Sequence, residues 1–107
     1  MFKKGNIAGY KNPVEKIMFK TLVYGEKTLL AEFRLEKGAL LPKHSHPHEQ
    51  TGYLVSGRMD LTIGEATYQV TPGDSWCILG NVEHHAIAHE DSVAVEAFSP
   101  RRDDYIP

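Results

Sequence analysis

The stretch RMDLTIGEATYQV, Arg58 to Val70, decides the fold class. Met59, Leu61 and Ile63 alternate with Arg58, Asp60 and Thr62. Ala66, Tyr68 and Val70 alternate in the same way with Thr67 and Gln69. An apolar residue at every second position marks a strand with one covered face. Gly64-Glu65 lies between the two runs, so Ser56 to Val70 reads as a hairpin closed by a tight turn.

The same period extends outward. In TLLAEFRL, Leu29, Ala31, Phe33 and Leu35 alternate with Leu30, Glu32 and Arg34. Turn signals recur at Tyr24-Gly25-Glu26, Lys37-Gly38, Ser56-Gly57-Arg58, Thr71-Pro72-Gly73-Asp74 and Gly80-Asn81. No long segment carries helical periodicity. Short strands with punctuation this regular predict an all-β antiparallel sandwich or barrel. The final SPRRDDYIP is polar and proline-bounded, and is expected to pack on the body as a tail rather than add a strand.

A length of 107 residues suits one domain with a core of its own. The formal net charge of −2 argues against nonspecific nucleic-acid binding, which needs a basic patch. No apolar run approaches the ~20 residues of a membrane-spanning helix, and MFKKGNIAGYK lacks the apolar stretch of a signal peptide. Neither nucleic acid nor membrane is therefore an expected partner. Cys77 is the only cysteine, so no intrachain disulfide can form and a reducing cytoplasm is the expected compartment. Its neighbours Trp76 and Ile78 place Cys77 near the core, where a thiol is inert.

The chemistry concentrates in HSHPHEQTGY, His44 to Tyr53. Residues two apart share a face of an extended chain, so His44, His46 and His48 could all point one way. Neighbouring imidazoles repel when protonated, but as neutral bases they can share a transition-metal cation. Pro47 can shift the register, which leaves open whether His48 or Gln50 is the next inward group. A second cluster follows Gly80-Asn81. If His84 faces inward, so do the small Ala86 and Ala88, which would leave room for a substrate, while His85, Ile87 and His89 face out.

These residues resemble the two motifs of the cupins, small jelly-roll barrels that hold a metal inside. The first motif is matched by Gly38, His44, His46 and Gly57, with Gln50 at its remaining ligand position, and the second by Gly73 and His84, with Leu79, Asn81 and Ala88 at its other positions. The resemblance implies a single cupin domain over 1–107, a double-stranded β-helix with a barrel core at about 28–99 and a tail at 100–107. It implies His44, His46, Gln50 and His84 as ligands of one divalent transition metal, with Ni, Zn, Fe and Mn all compatible. Gln50 stands where most metal cupins have Glu, Leu79 replaces Pro, Asn81 replaces Gly and Ala88 replaces Asn. Asn tolerates the left-handed conformation better than other non-glycine residues, so that turn can survive. A neutral amide leaves the ion its full charge, which favours Lewis-acid chemistry over redox cycling.

The segments HSHPHEQTGYLVSG, PGDSWCILGNVEHHA and EDSVAVEAFSPRRDDY are similar to a narrower group of cupins from pectin and alginate breakdown. Those proteins convert 4,5-unsaturated monouronates to linear keto sugars. The resemblance implies Glu96 as an acid/base group in place of the usual Asp, Phe98 as a pocket wall and Arg102 as the holder of the substrate carboxylate. Alternation in VAVEAF puts Ala94, Glu96 and Phe98 on one face and Val93, Val95 and Ala97 on the other, and does not say which is inside. Arg101 competes with Arg102. The expected partner is thus an anionic sugar acid, with an Fe-dependent cupin dioxygenase or a non-catalytic binding cupin as rival functions. A homodimer is also expected, because Thr51, Tyr53 and Val55 oppose Gln50 and, with Ile17, Phe19 and Val23, offer apolar surface to a second chain.

Overall fold

The computed structural model describes residues 1–107. Ten strands follow the punctuation of the sequence: β1 (Lys11–Val14), β2 (Ile17–Tyr24), β3 (Leu29–Leu35), β4 (Leu40–His44), β5 (Glu49–Ser56), β6 (Met59–Ile63), β7 (Ala66–Val70), β8 (Ser75–Ile78), β9 (His84–Ala88) and β10 (Ser92–Ser99). They form a six-stranded sheet in the order β1-β2-β3-β10-β5-β8 and a four-stranded sheet in the order β4-β9-β6-β7. Every pairing is antiparallel. The two sheets face each other as a jelly-roll barrel, the architecture that the motifs imply. No helix is long and apolar enough to cross a membrane.

The inner faces are those of the alternating residues. Leu54, Met59, Leu61, Val70, Ala86 and Ala94 pack as one buried cluster between the sheets. Leu29, Ala31 and Phe98 form another, with Tyr105 and Ile106 of the tail laid against it. The tail ends in a short 3-10 turn, Asp103–Tyr105, and adds no strand. The expected hairpin is present: β6 and β7 pair from Met59–Val70 to Ile63–Ala66 around Gly64-Glu65.

Three details depart from the sequence reading. Ala66 and Tyr68 are exposed, and only Val70 of β7 is buried. This strand is the edge of its sheet, and the edge it faces is the four-residue β8, so the sheets part there. A cleft of about 400 Å³ remains, lined in part by Leu61, Ile63, Tyr68, Val70 and Trp76. Cys77 is exposed rather than near the core, because alternation along β8 sends Ile78 inward and the thiol outward. Ile17 and Phe19 are core residues and not dimer surface, since they pair with Leu35 and Phe33 on the inner face of β3. The six-stranded sheet begins at Lys11, because β1 and β2 extend it past β3.

Turns at the far end of the barrel interlock. Gly57, at φ +96°, lies against the turn before β10, where an added Cβ would sit 2.5 Å from the Asp91 carbonyl oxygen and from Ser92 Cα. The Arg58 N–H donates to Ser92 Oγ, and the His89 N–H donates to the Arg58 carbonyl. Gly57→Ala combines a left-handed φ with this collision. It is expected to lower unfolding free energy by about 1–3 kcal/mol, measured by urea denaturation, and a loss smaller than measurement error would contradict the close approach.

Candidate metal centre

Two chain segments meet at one end of the barrel. His44 ends β4 and pairs across the sheet with His84, the first residue of β9. His46 lies in the connection to β5. The Asn81 N–H donates to the His46 carbonyl at 2.7 Å, and Asn81 takes the left-handed conformation, with φ +66°, that its side chain tolerates. Gly80 is in contact with Pro47, where a Cβ would lie 2.5 Å from the carbonyl oxygen. The 79–82 turn therefore grips the 46–47 loop through main-chain contacts.

This clasp brings three imidazoles together. The candidate ligand atoms of His44, His46 and His84 lie within 4.8 Å of one another. Each ring is oriented by a carbonyl: Nδ1 of His44 meets the Pro42 oxygen at 2.7 Å, that of His46 the His48 oxygen at 3.0 Å, and that of His84 the Val82 oxygen at 2.9 Å. A carbonyl only accepts, so each Nδ1 carries the hydrogen and each Nε2 presents a lone pair. Nε2 of His84 is buried with no protein partner. Nε2 of His46 faces Gln50 Oε1 at 3.0 Å. The Gln50 NH₂ group donates to Glu96, so its amide oxygen is the atom turned toward His46.

Two acceptors in contact, beside an orphaned third, fit a cation shared among them. A proton is disfavoured in that role. Burial pushes the His84 pKa down to about 4, with His44, His46 and Arg102 adding repulsion. Burial also lowers the His46 pKa, and Arg102 depresses it further. The three imidazoles could thus hold a metal ion, which fits their donor chemistry. Gln50 is buried beside them. His48 lies outside the ligand group; its carbonyl instead orients His46, and its own Nδ1 is buried without a partner.

Glu96 lies one step deeper. It is buried, and burial raises its pKa against the lowering effect of bonds from Gln50 and Trp76. The Trp76 indole N–H donates to its Oε1 at 3.0 Å, and Gln50 Nε2 donates to the same oxygen. A cavity of about 30 Å³ adjoins Gln50, His84, Trp76 and Glu96. That is room for about one water molecule.

Phe98 is buried with its ring edge-on to His46, centroids 5.9 Å apart. Arg102 stacks over the Tyr105 ring at 4.0 Å and over Phe98 at 5.2 Å. Its fork is occupied within the chain, Nε and NH2 meeting the Asp104 carboxylate at 3.1 and 2.7 Å. Arg101 turns away, to Asp103 and the Gly25 carbonyl. The sequence reading did not single out Trp76, Gly52 or Asp104. Trp76 could have been found from its shared face with Ile78, whereas Asp104 is one acidic residue in a polar tail.

The family described as Cupin domain matches residues 31–99, and the chain belongs to that family. It is 26% identical over 89 residues to the pectin degradation protein KdgF of Dickeya dadantii (strain 3937), with 81% of each chain covered. Among solved structures it is similar to KdgF from a Halomonas species, with a TM-score of 0.88 at 28% identity over 92% of both chains. It also resembles an RmlC-like cupin from Shewanella frigidimarina, with a TM-score of 0.92 at 24% identity over 98% of this chain and 95% of that one.

The depressed His84 pKa has a defined effect on stability. Between about 4 and 6.5 the unfolded imidazole binds a proton that the folded one refuses. The contribution is therefore intact above 6.5 and lost as pH falls toward 4. The melting temperature of metal-free protein is expected to drop across that window, with a smaller slope in His84→Asn; a flat wild-type profile would contradict a buried neutral imidazole. Added zinc or nickel is expected to raise the wild-type melting temperature. His46→Ala and His84→Ala should each weaken metal binding by at least about 10- to 100-fold, read by calorimetry.

Proposed function

We propose that this chain is a metal-dependent cupin that converts 4,5-unsaturated monouronates to their linear keto isomers. The observation that carries the reading is a buried carboxyl of raised pKa, Glu96, bonded to the amide that abuts the histidine cluster. The similarity to two proteins named KdgF, one of them described by pectin degradation, supports the substrate class. His44, His46, Gln50 and His84 would hold a divalent ion, which supplies Lewis-acid polarisation of sugar oxygens.

The conversion is an isomerisation. The C1 hydroxyl loses a proton and becomes a carbonyl as the bond from C1 to the ring oxygen breaks. The ring oxygen keeps that electron pair and becomes the enol oxygen on C5, and C4 then takes a proton to give the ketone. Atoms and electrons balance without an oxidant or reductant. A carboxyl of raised pKa suits both proton movements, and Glu96 holds or delivers the proton at Oε2, since Oε1 already accepts two N–H bonds. Phe98 forms an apolar wall beside His46. Arg102 binds the uronate carboxylate, which must share or replace Asp104 on the guanidinium fork.

We further propose a homodimer through the outer face of the six-stranded sheet. Tyr53 and Val55 are 50% and 49% exposed there, beside the half-buried Val93 and Val95. Tyr53→Arg in the middle of that face is expected to give a monomer by sedimentation, and a variant that sediments with the wild type would exclude this face.

The test of function is loss of the unsaturated-uronate absorbance with metal-loaded protein. Glu96→Gln is expected to lower kcat by roughly 10²- to 10⁴-fold with metal retained. Arg102→Ala is expected to act mainly on KM. Wild-type protein that binds metal and leaves the uronate unchanged would point instead to a binding cupin without catalysis.

A further inference from the structure

Three residues stand in one row across three adjacent strands. Glu96 of β10 pairs with Gly52 of β5, and Gly52 pairs with Trp76 of β8. Gln50 and Leu54, two residues to either side of Gly52, are buried, so position 52 also faces the interior. Any side chain there would stand between Glu96 and Trp76. An added Cβ would lie 2.2, 2.3 and 2.4 Å from three atoms of the indole ring. The indole therefore lies in the space that glycine leaves and reaches across the middle strand to place its N–H on Glu96 Oε1. Gly52 has no left-handed φ, so the constraint on it is room and not backbone freedom.

We propose that Trp76 is the positioning residue for the Glu96 carboxyl, admitted by the missing side chain at Gly52. The inference rests on the acid/base role given to Glu96 above. An indole N–H is a donor only and does not titrate, so it holds Oε1 in either protonation state of the carboxyl. The second donor, Gln50, must also direct its oxygen to the histidine cluster, and cannot fix Glu96 independently of what happens there. Trp76 has no such double duty. With both N–H groups on Oε1, the mobile proton is confined to Oε2. The ring also borders the open cleft on one side and the small inner cavity on the other, and so separates Glu96 from the solvent in that cleft.

Trp76 is the only tryptophan, so its indole gives a single ¹⁵N–¹H resonance. In zinc-loaded protein that resonance is expected downfield, as for a donor to carboxylate, and Glu96→Gln should move it upfield. Trp76→Phe keeps the ring and removes the donor. With the divalent ion that best supports wild-type turnover, it is expected to lower kcat by roughly 10- to 100-fold while KM stays within about twofold. Gly52→Ala keeps the donor and displaces the ring; it should show the same loss of kcat together with an upfield indole, and it replaces Trp76→Phe should that variant fold poorly. An indole resonance unmoved by Glu96→Gln, or wild-type kcat in a folded Trp76→Phe, overturns the proposal. Wild-type protein inert toward the uronate overturns the reaction assignment and with it the catalytic role; the indole resonance then still reports separately whether Trp76 holds Glu96.

Discussion

Three imidazoles, one of them buried, turn toward one small volume, and the remainder of the molecule is organised around that constraint. Backbone carbonyls of Pro42, His48 and Val82 fix the Nδ1 hydrogens of His44, His46 and His84, which commits every Nε2 to the same small volume. The cost of that arrangement is visible in the His84 nitrogen, which is buried and unpartnered, and in the contact between His46 and the Gln50 oxygen. A divalent cation would relieve both at once. Protons are disfavoured on His46 and His84, because burial and neighbouring positive groups act in the same direction.

The barrel supplies the rigidity this needs. His44 and His84 are opposite one another on paired strands, and the turn bearing Asn81 is bonded to the backbone of the loop bearing His46. Gln50, Gly52 and Leu54 follow one another on the inner face of β5, so the amide beside the histidines, the place filled by the Trp76 indole and the apolar core succeed each other along one strand. Glu96 occupies the level between the histidines and the core, and that level is where an apolar environment and polar partners can act on one carboxyl together.

Much of this was legible in the alternation of residues. It placed β3, β6 and β9, and paired His84 with Ala86 and Ala88 on one side. Alternation distinguishes two faces but does not say which is covered, so VAVEAF alone leaves Glu96 undecided where the resemblance and the structure put it inside. Coverage depends on distant strands. Tyr68 has the right period for the core, yet its strand is an edge with little opposite it. Cys77 took its expected position from its neighbours when the pleat sends it the other way. The Trp76 contact depends on a glycine one strand over and a glutamate two strands over, a relation no local pattern encodes. The Asp104 bond to Arg102 is short in sequence, but forms because Tyr105 and Phe98 give the guanidinium a surface to lie on.

The tail that carries Arg102 belongs to neither sheet. It is anchored by Tyr105, which contacts Phe19, Phe33 and Phe98, and by a bond from Thr21 Oγ1 to the Tyr105 carbonyl. The positive charge above the histidines is thus borne by a segment that pairs with no strand. Under the proposed function, ion binding and acid recognition would lie on separate pieces of chain, so drift in the residues around Arg102 would redirect ligand preference while the barrel beneath is passed on unaltered.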